Sequence, residues 1–179
     1  MNIRVREWIP SDIEKIVDYF VLADADFLRG MGAEKSMLPE REVWIQNLQA
    51  EIDKPYTEIN HYYIIWQVDN EPIGHSNVNK IVYGESATMH LHMWDSQKRK
   101  KGLGLELLKL TIPLYFEKLK LKTLICEPYS ENIAPNKTLK KLGFNFIRAY
   151  ETIPGIICFP QTVNRYELTK DKYNTSYSN

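Results

Sequence analysis

The stretch Gln97-Lys98-Arg99-Lys100-Lys101-Gly102-Leu103-Gly104 decides the reading of this chain. It lies between a strand-like run at residues 88–94 and a segment carrying Leu107, Leu108, Thr111, Ile112, Tyr115 and Leu119 at helical spacing. Gly102 and Gly104 have no Cβ, so the backbone can curl there and bring successive N–H groups near one anion. A helix beginning at this point adds its unpaired first-turn donors and the positive end of its dipole. Residues 98–101 are four consecutive bases and supply charge for a further phosphate. The stretch reads as a pyrophosphate cradle. Two other cradles fail on spacing. A Walker loop needs Lys-Ser/Thr after its last glycine, whereas Leu103 follows Gly102; the dinucleotide fingerprint needs a third glycine where this chain has Leu107.

On the N-terminal side, residues 2–8 alternate apolar and polar and end at Pro10, predicting a first strand. Ser11 and Glu14 have the spacing of a capping box, and Ile13, Ile16, Val17, Phe20 and Val21 form the apolar stripe of the helix it would open. Residues 27–32 read as a loop whose apolar side chains either pack on the core or wall an acceptor site. Pro39 suits the first turn of a second helix with Val43, Trp44 and Leu48 inward. Residues 62–68 and 73–79 read as strands around a turn at residues 69–72, and residues 88–94 as the next strand. After the basic loop and its helix come a short buried strand at 123–127 and a helix at 132–142 stopped by Gly143. Two strands around Pro154-Gly155 follow, and then a polar tail that should fray.

The loop with its preceding strand resembles the coenzyme A pyrophosphate loop, Arg/Gln-x-x-Gly-x-Gly, of the GNAT superfamily, the Gcn5-related N-acetyltransferases. A second block, residues 131–144, is similar to that family's segment running from Glu-Asn to Lys-x-Gly-Phe and contains Glu131, Asn132, Leu142, Gly143 and Phe144. The order of elements matches as well, and the pattern is closest to the branch that acetylates ribosomal-protein alanine termini and related amines. The resemblance implies a mixed α+β fold. Its mostly antiparallel sheet of about seven strands would be splayed between strands four and five and accompanied by four helices. Residues 1–170 would form one GNAT domain, with residues 171–179 as a C-terminal tail.

It further implies an N-acetyltransferase that uses acetyl-CoA as cosubstrate. Trp94 would stand where backbone groups hold the pantetheine, Arg99, Lys100, Lys101, Gly102, Leu103 and Gly104 where the pyrophosphate sits, and Asn132 where a side-chain amide touches the pantetheine. Asn132 also suits a helix N-cap. The reaction is attack of a neutral amine on the thioester. An alkylamine with a solution pKa of about 10.4 is only about one part in a thousand neutral near pH 7, so a proton must be removed. A thiol pKa near 8.5 lets the thiolate depart with little help.

Candidate bases are His90 and His92, which alternate on one strand and share a face with Trp94. This His-x-His resembles the arylalkylamine N-acetyltransferases, with His90 on the second family histidine and His92 without an ungapped counterpart. Both histidines also suit a structural role under a helix. Glu151 matches a carboxylate of the ribosomal-protein branch near the acceptor amine, and Glu127 borders the same cleft. The chain departs from the family at the acid: Leu139 replaces the usual Tyr and Pro135 the branch's Ser. Either the thiolate leaves unassisted, or another group such as Tyr129 serves.

Composition bounds the rest. With 179 residues, 44% hydrophobic and 26% charged, the chain suits one globular domain. A net charge of zero offers no field for nucleic acid or anionic membrane, and no apolar run has membrane-spanning length. Cys126 and Cys158 are too few for a disulfide framework, so a cytoplasmic protein is expected. His75, His90 and His92 lack the companions of a zinc motif, and no metal is expected. The acceptor is expected to be a small-molecule amine or a peptide N-terminus, with a homodimer implied by resemblance alone. A non-catalytic acyl-CoA sensor or scaffold is the rival reading. A longer acyl donor is a second rival, opposed by the bulk of Met93 and Trp94.

Overall fold

The computed structural model describes residues 1–95, 97 and 102–177, the last by its backbone alone. Its strands are β1 (Ile3–Glu7), β2 (Tyr62–Val68), β3 (Glu71–Val82), β4 (Ser86–Met93), β5 (Thr123–Cys126), β6 (Asn145–Thr152) and β7 (Gln161–Thr169). They form one sheet in the order β1-β2-β3-β4-β5-β7-β6, in which β4 and β5 are parallel and the other neighbours antiparallel. The helices are α1 (Ile13–Val21), α2 (Ala25–Gly30), α3 (Arg41–Ile52), α4 (Leu103–Lys118), α5 (Ile133–Lys141) and α6 (Lys170–Tyr177). The mixed α+β architecture expected from the resemblance is the one found, with six helices among the described residues rather than four.

Strand β2 is buried on both faces because both faces of the sheet are covered. On the rear face Tyr62, Ile64 and Trp66 pack with Met89, Leu107, Leu108 and Ile112, and the Trp66 indole donates to Thr111 Oγ1 at 3.0 Å. On the front face Tyr63 and Ile65 pack with Ile13, Ile16 and Val17 of α1 and Ile45 and Leu48 of α3. The β2–β3 turn needs two residues in left-handed backbone, and Asp69 (φ 50°) and Asn70 (φ 71°) supply them. Gly143 (φ +80°) stops α5, as its position in the sequence suggests.

Several local expectations are corrected. The cap forms at Ile9, two residues before Ser11, and has only its reciprocal half, because Pro10 starts a 3-10 turn, Pro10–Asp12, ahead of α1 and Ile9 has no side-chain acceptor. Asp12 Oδ2 accepts from the Ile9 N–H at 2.9 Å, and Arg6 grips the same carboxylate at 2.6 and 2.8 Å. Residues 25–30 are a helix, not a loop, since Asp24 caps it by accepting from the Phe27 N–H at 2.7 Å. Helix α3 starts at Arg41, two residues after Pro39; its Val43 faces solvent while Ile45 is buried. Among the described residues after Thr169 the tail expected to fray forms α6 instead, whose Tyr173 ring lies 5.4 Å from that of Phe116.

Candidate active site

Strands β4 and β5 pair over three residues only, 86–88 against 123–125. The last tie between them is the Cys126 thiol, which donates to Met89 O at 3.1 Å. Beyond it β5 runs into Glu127 and Pro128, and a proline has no N–H to continue a ladder. The sheet therefore opens along residues 89–93 of β4. Bonding groups alternate sides in an antiparallel strand. The Trp94 N–H donates to Ile73 O at 2.8 Å, so in that register Leu91 and Met93 direct their backbone groups toward the opening. Of the residues matched to the pantetheine position, the Trp94 N–H is thus committed to β3, and its neighbours on β4 face the gap.

The rear side of the opening is bordered by α4. Gly102, at φ +75°, precedes its first turn in a conformation that disfavours side chains, and a Cβ on Gly102 or Gly104 would meet nothing within 4 Å. Backbone there is open to a ligand. Leu103 points into the core at 4% exposure, so only its main chain can serve an anion. Arg99, Lys100 and Lys101 lie outside the described residues. Asn132 occupies the N-cap position of α5 without a side-chain cap bond. The amide that ties this corner is Asn136, which donates to Tyr129 O (3.0 Å) and Asn132 O (2.8 Å) and accepts from Asn164 (2.8 Å).

The front side carries the histidines. His75 stands opposite His92 and Asn77 opposite His90, so His75, His90 and His92 share the face covered by α1. His75 is fully buried; its Nδ1 accepts from Trp94 Nε1–H at 2.8 Å, which leaves the ring proton on Nε2, a buried atom with no partner among the described residues. The His92 ring lies 4.9 Å from that of His75, 5.0 Å from Phe20 and 5.4 Å from Tyr19. His90 Nε2 meets Asn79 Oδ1 at 3.0 Å. Burial pushes His75 down to about 3 and His90 to about 4, and holds His92 well below its ordinary value. All three are neutral at physiological pH.

Two candidate carboxylates part company here. Glu127 faces the same side as His90 and favours its protonation. Its Oε1 accepts from Tyr150 OH at 2.5 Å and Arg165 Nη1 at 2.9 Å. Glu151 pairs with Thr162, on the face of β6 opposite to Tyr150, and is exposed. The structure does not bring Glu151 to the histidines, because the strand alternates at that point. Leu139, standing for the usual Tyr, is fully buried in the core. Tyr129 lies 5.7 Å from the Phe159 ring, and its phenol is raised, first by hydrogen bonding to Glu131 and then by burial, so it keeps its proton.

The front cleft itself, about 560 Å³ in volume, is lined by Asp18, Tyr19 and Leu22 of α1 and its end, by Phe27 of α2 and by Trp94. Behind Tyr19 and Ala23, and in one apolar cluster with them, two distant segments meet in a seam. Ala33 bridges Cys158, the Glu34 N–H donates to Ile157 O at 2.8 Å, and the Gln161 amide donates to Gly32 O at 2.6 Å. Sequence reasoning weighed His75 only as a metal ligand and did not single out Tyr19. The register of β3 against β4, which sets His75 opposite His92 and shifts between Asn79 and Val82, is the missing signal. Among the described residues no three His, Cys, Asp or Glu groups converge as a metal site, and no helix is long and apolar enough to cross a membrane.

The fold has close counterparts among solved structures. The chain superimposes on RimL, the ribosomal L7/L12 alpha-N-protein acetyltransferase in complex with coenzyme A, with a TM-score of 0.77 at 15% identity, covering 96% of each chain. For spermidine N-acetyltransferase from Vibrio cholerae with coenzyme A and spermine, the TM-score is 0.78 at 16% identity, over 96% of this chain and 97% of the other. For the ribosomal-protein-S5-alanine acetyltransferase from Vibrio fischeri it is 0.73 at 19% identity, over 97% and 96%. Two of these act in the ribosomal-protein branch that the motifs resemble, though identities this low speak to fold alone. No curated protein matches the sequence significantly. Residues 2–145 match the acetyltransferase (GNAT) domain, and with the splayed sheet and the glycine-led α4 in place, the chain belongs to the GNAT acetyltransferase family.

Proposed function

We propose that this acetyltransferase moves the acetyl group of acetyl-CoA onto a primary amine seated in the front cleft. The observation that carries the reading is the opening between β4 and β5, which has open backbone at Gly102 and Gly104 on its rear side and three neutral histidines on its front. Residues 99–104 would hold the pyrophosphate, with the bases reaching a further phosphate. Leu91 and Met93 would pair their backbone with the pantetheine arm as a neighbouring strand would, and the Asn132 side chain would close the other edge.

In the reaction the amine nitrogen forms a bond to the acetyl carbon and the C–S bond breaks, its electron pair leaving with sulfur. The amine proton passes to water. His90, held at about 4, and His92, held well below its ordinary value by burial, are too weak as bases to keep that proton, so they are relays that orient water and stabilise the proton only in passing. The leaving thiolate needs little assistance, and Tyr129, just beyond β5, is a phenol that stays protonated.

The test is thiol release from acetyl-CoA across a panel of amines, run beside a calorimetric titration with coenzyme A. Turnover with any amine supports the reading. Coenzyme binding without turnover would point to a sensor module, and no binding would sink the assignment of residues 99–104.

A further inference from the structure

The front face of β3 and β4 is polar over six facing positions. His75, Asn77 and Asn79 of β3 stand opposite His92, His90 and Thr88 of β4. Asparagine is a poor strand residue, and a polar side chain is costly to bury unless it pairs. Asn77 is directly opposite His90, yet the imidazole bond runs on the diagonal: His90 Nε2 lies 3.0 Å from Asn79 Oδ1. An amide oxygen only accepts, so this contact places the ring proton of His90 on Nε2 and leaves the lone pair on Nδ1.

The neutrality of that acceptor has a chemical consequence. A carboxylate in the same place would stabilise the imidazolium and make His90 a base that keeps its proton. An amide oxygen orients the ring and adds no charge. The charges that act on His90 come from other groups. Lys80, which follows Asn79 on β3, and His61, which precedes β2, oppose its protonation; Glu127, which follows β5, favours it. His75 and His92 share its face and stay neutral.

We propose that Asn79 is a positioning residue of the transfer: it holds His90 as the Nε2–H tautomer, so that Nδ1 is the atom through which the amine proton is relayed. This rests on the acetyltransferase reading and on the relay role of His90, and adds the group that sets the ring. As the C–N bond forms and the C–S bond breaks, the amine gives its proton to a water, and that water gives a proton to Nδ1. While the ring is cationic its Nε2–H bond to Asn79 is charge-assisted and stronger. Nδ1 then returns the proton to solvent, and the ring is neutral again with Nε2–H unchanged.

A long-range proton–nitrogen spectrum of protein labelled with nitrogen-15 histidine distinguishes the two neutral tautomers. At pH 7 His90, identified by the signal lost in His90→Gln, should be in the Nε2–H form. The Nδ1–H form, or an even mixture, overturns the assignment. Asn79→Leu keeps the size of the side chain and removes the acceptor. His90 should then populate both tautomers. In steady-state thiol release with the fastest of phenethylamine, spermidine and an alanine-starting tripeptide, kcat should fall about tenfold with KM and the coenzyme A Kd unchanged. That is less than the ~10²-fold or more of a deleted acid–base group, because His90 remains.

Asn79→Asp returns an oxygen to the same place together with the charge that the native residue withholds. It should restore the Nε2–H form and part of kcat. It should also add to the pH profile of kcat/KM an inflection between about pH 5.5 and pH 8, from a His90 whose imidazolium is now stabilised. A merely structural Asn79 would produce neither effect. An unchanged kcat in Asn79→Leu, or a profile without that inflection in Asn79→Asp, overturns the positioning role and leaves the acetyltransferase reading standing. Absence of turnover by the native enzyme with every amine overturns both, and the tautomer spectrum then still decides whether Asn79 sets the ring.

Discussion

The indole of Trp94 donates its only hydrogen bond to His75 Nδ1, 2.8 Å away on the neighbouring strand, and thereby sets the tautomer of a fully buried imidazole. One bond does two jobs. It holds the aromatic wall of the front cleft, and it aims an N–H at an enclosed position beside His92 and Tyr63.

Replacing His75 with Phe keeps the ring and removes the acceptor. The Trp94 indole then loses its partner, at a cost of about 1 to 3 kcal/mol. Urea denaturation should show that loss. Of the four indole N–H resonances in a nitrogen-15 correlation spectrum, the one assigned to Trp94 should move toward the value of a water-bonded indole. An unmoved Trp94 resonance would mean that the bond does not persist in solution.

The pH dependence of kcat/KM should follow the acceptor and not the histidines. Imidazoles held at about 3 and 4, and well below 6.5 for His92, do not titrate between pH 5.5 and pH 8. The neutral fraction of an alkylamine rises about tenfold per pH unit below its pKa of about 10. The profile is therefore expected to climb steadily through that range. An inflection near pH 6.5 would show a histidine titrating at its ordinary value and would overturn the relay role.

Arg165 is the main cation holding Glu127, whose side chain is only 7% exposed. Arg165→Met leaves that carboxylate buried with Tyr150 alone. The loss should be about 2 to 3 kcal/mol, below the value for a wholly buried pair because Arg165 is itself a quarter exposed. Guanidinium melts read this directly, and Glu127→Gln on the same background should restore most of it.

Acid should destabilise the fold in two windows. The folded chain resists protonating His75 and His90, whereas unfolded imidazoles take a proton near 6.5. Stability is complete above that pH and falls as pH drops from about 6.5 toward 4. For Glu51, burial alone would raise the carboxyl, but hydrogen bonds from Lys54 and Asn60 outweigh it and hold the group at about 2. Its contribution is present above the ordinary 4.5 and is lost between there and 2. Urea midpoints measured from pH 7.5 to 3 should fall in both windows. His75→Phe should reduce the fall in the first, leaving the part due to His90, and Glu51→Gln should flatten the second.

The coenzyme half of the site was the more legible in sequence. The proposed loop is consecutive, a strand end, two glycines and a helix start, so local chemistry placed Gly102 and Gly104 at the start of one helix, as it placed Asn132 at the N-cap of the next. The acceptor half depends on pairings far apart in the chain. Glu151 was expected near the amine, but one step of strand alternation sends it to the other face while Tyr150 turns inward to Glu127. His75 and Tyr19 enter only through the β3–β4 register and the packing of α1 on the sheet. Helix α2 hid for a different reason: residues 27–32 contain two glycines, and the Asp24 cap that stabilises the turn stands outside that stretch.

The seam joining residues 32–34 to residues 157–161 lies partly beyond residue 145, where the match to the family ends. The support behind Tyr19 and Ala23 of the front cleft is thus assembled from two chain segments that contribute nothing to the splayed strands or to the start of α4. Insertions or exchanges between β6 and β7 are expected to shift that support, and with it the proposed acceptor cleft, while the splayed strands and the start of α4 stay as they are. For engineering, that loop is where a new amine is to be sought, with its partner at residues 32–34 changed in step.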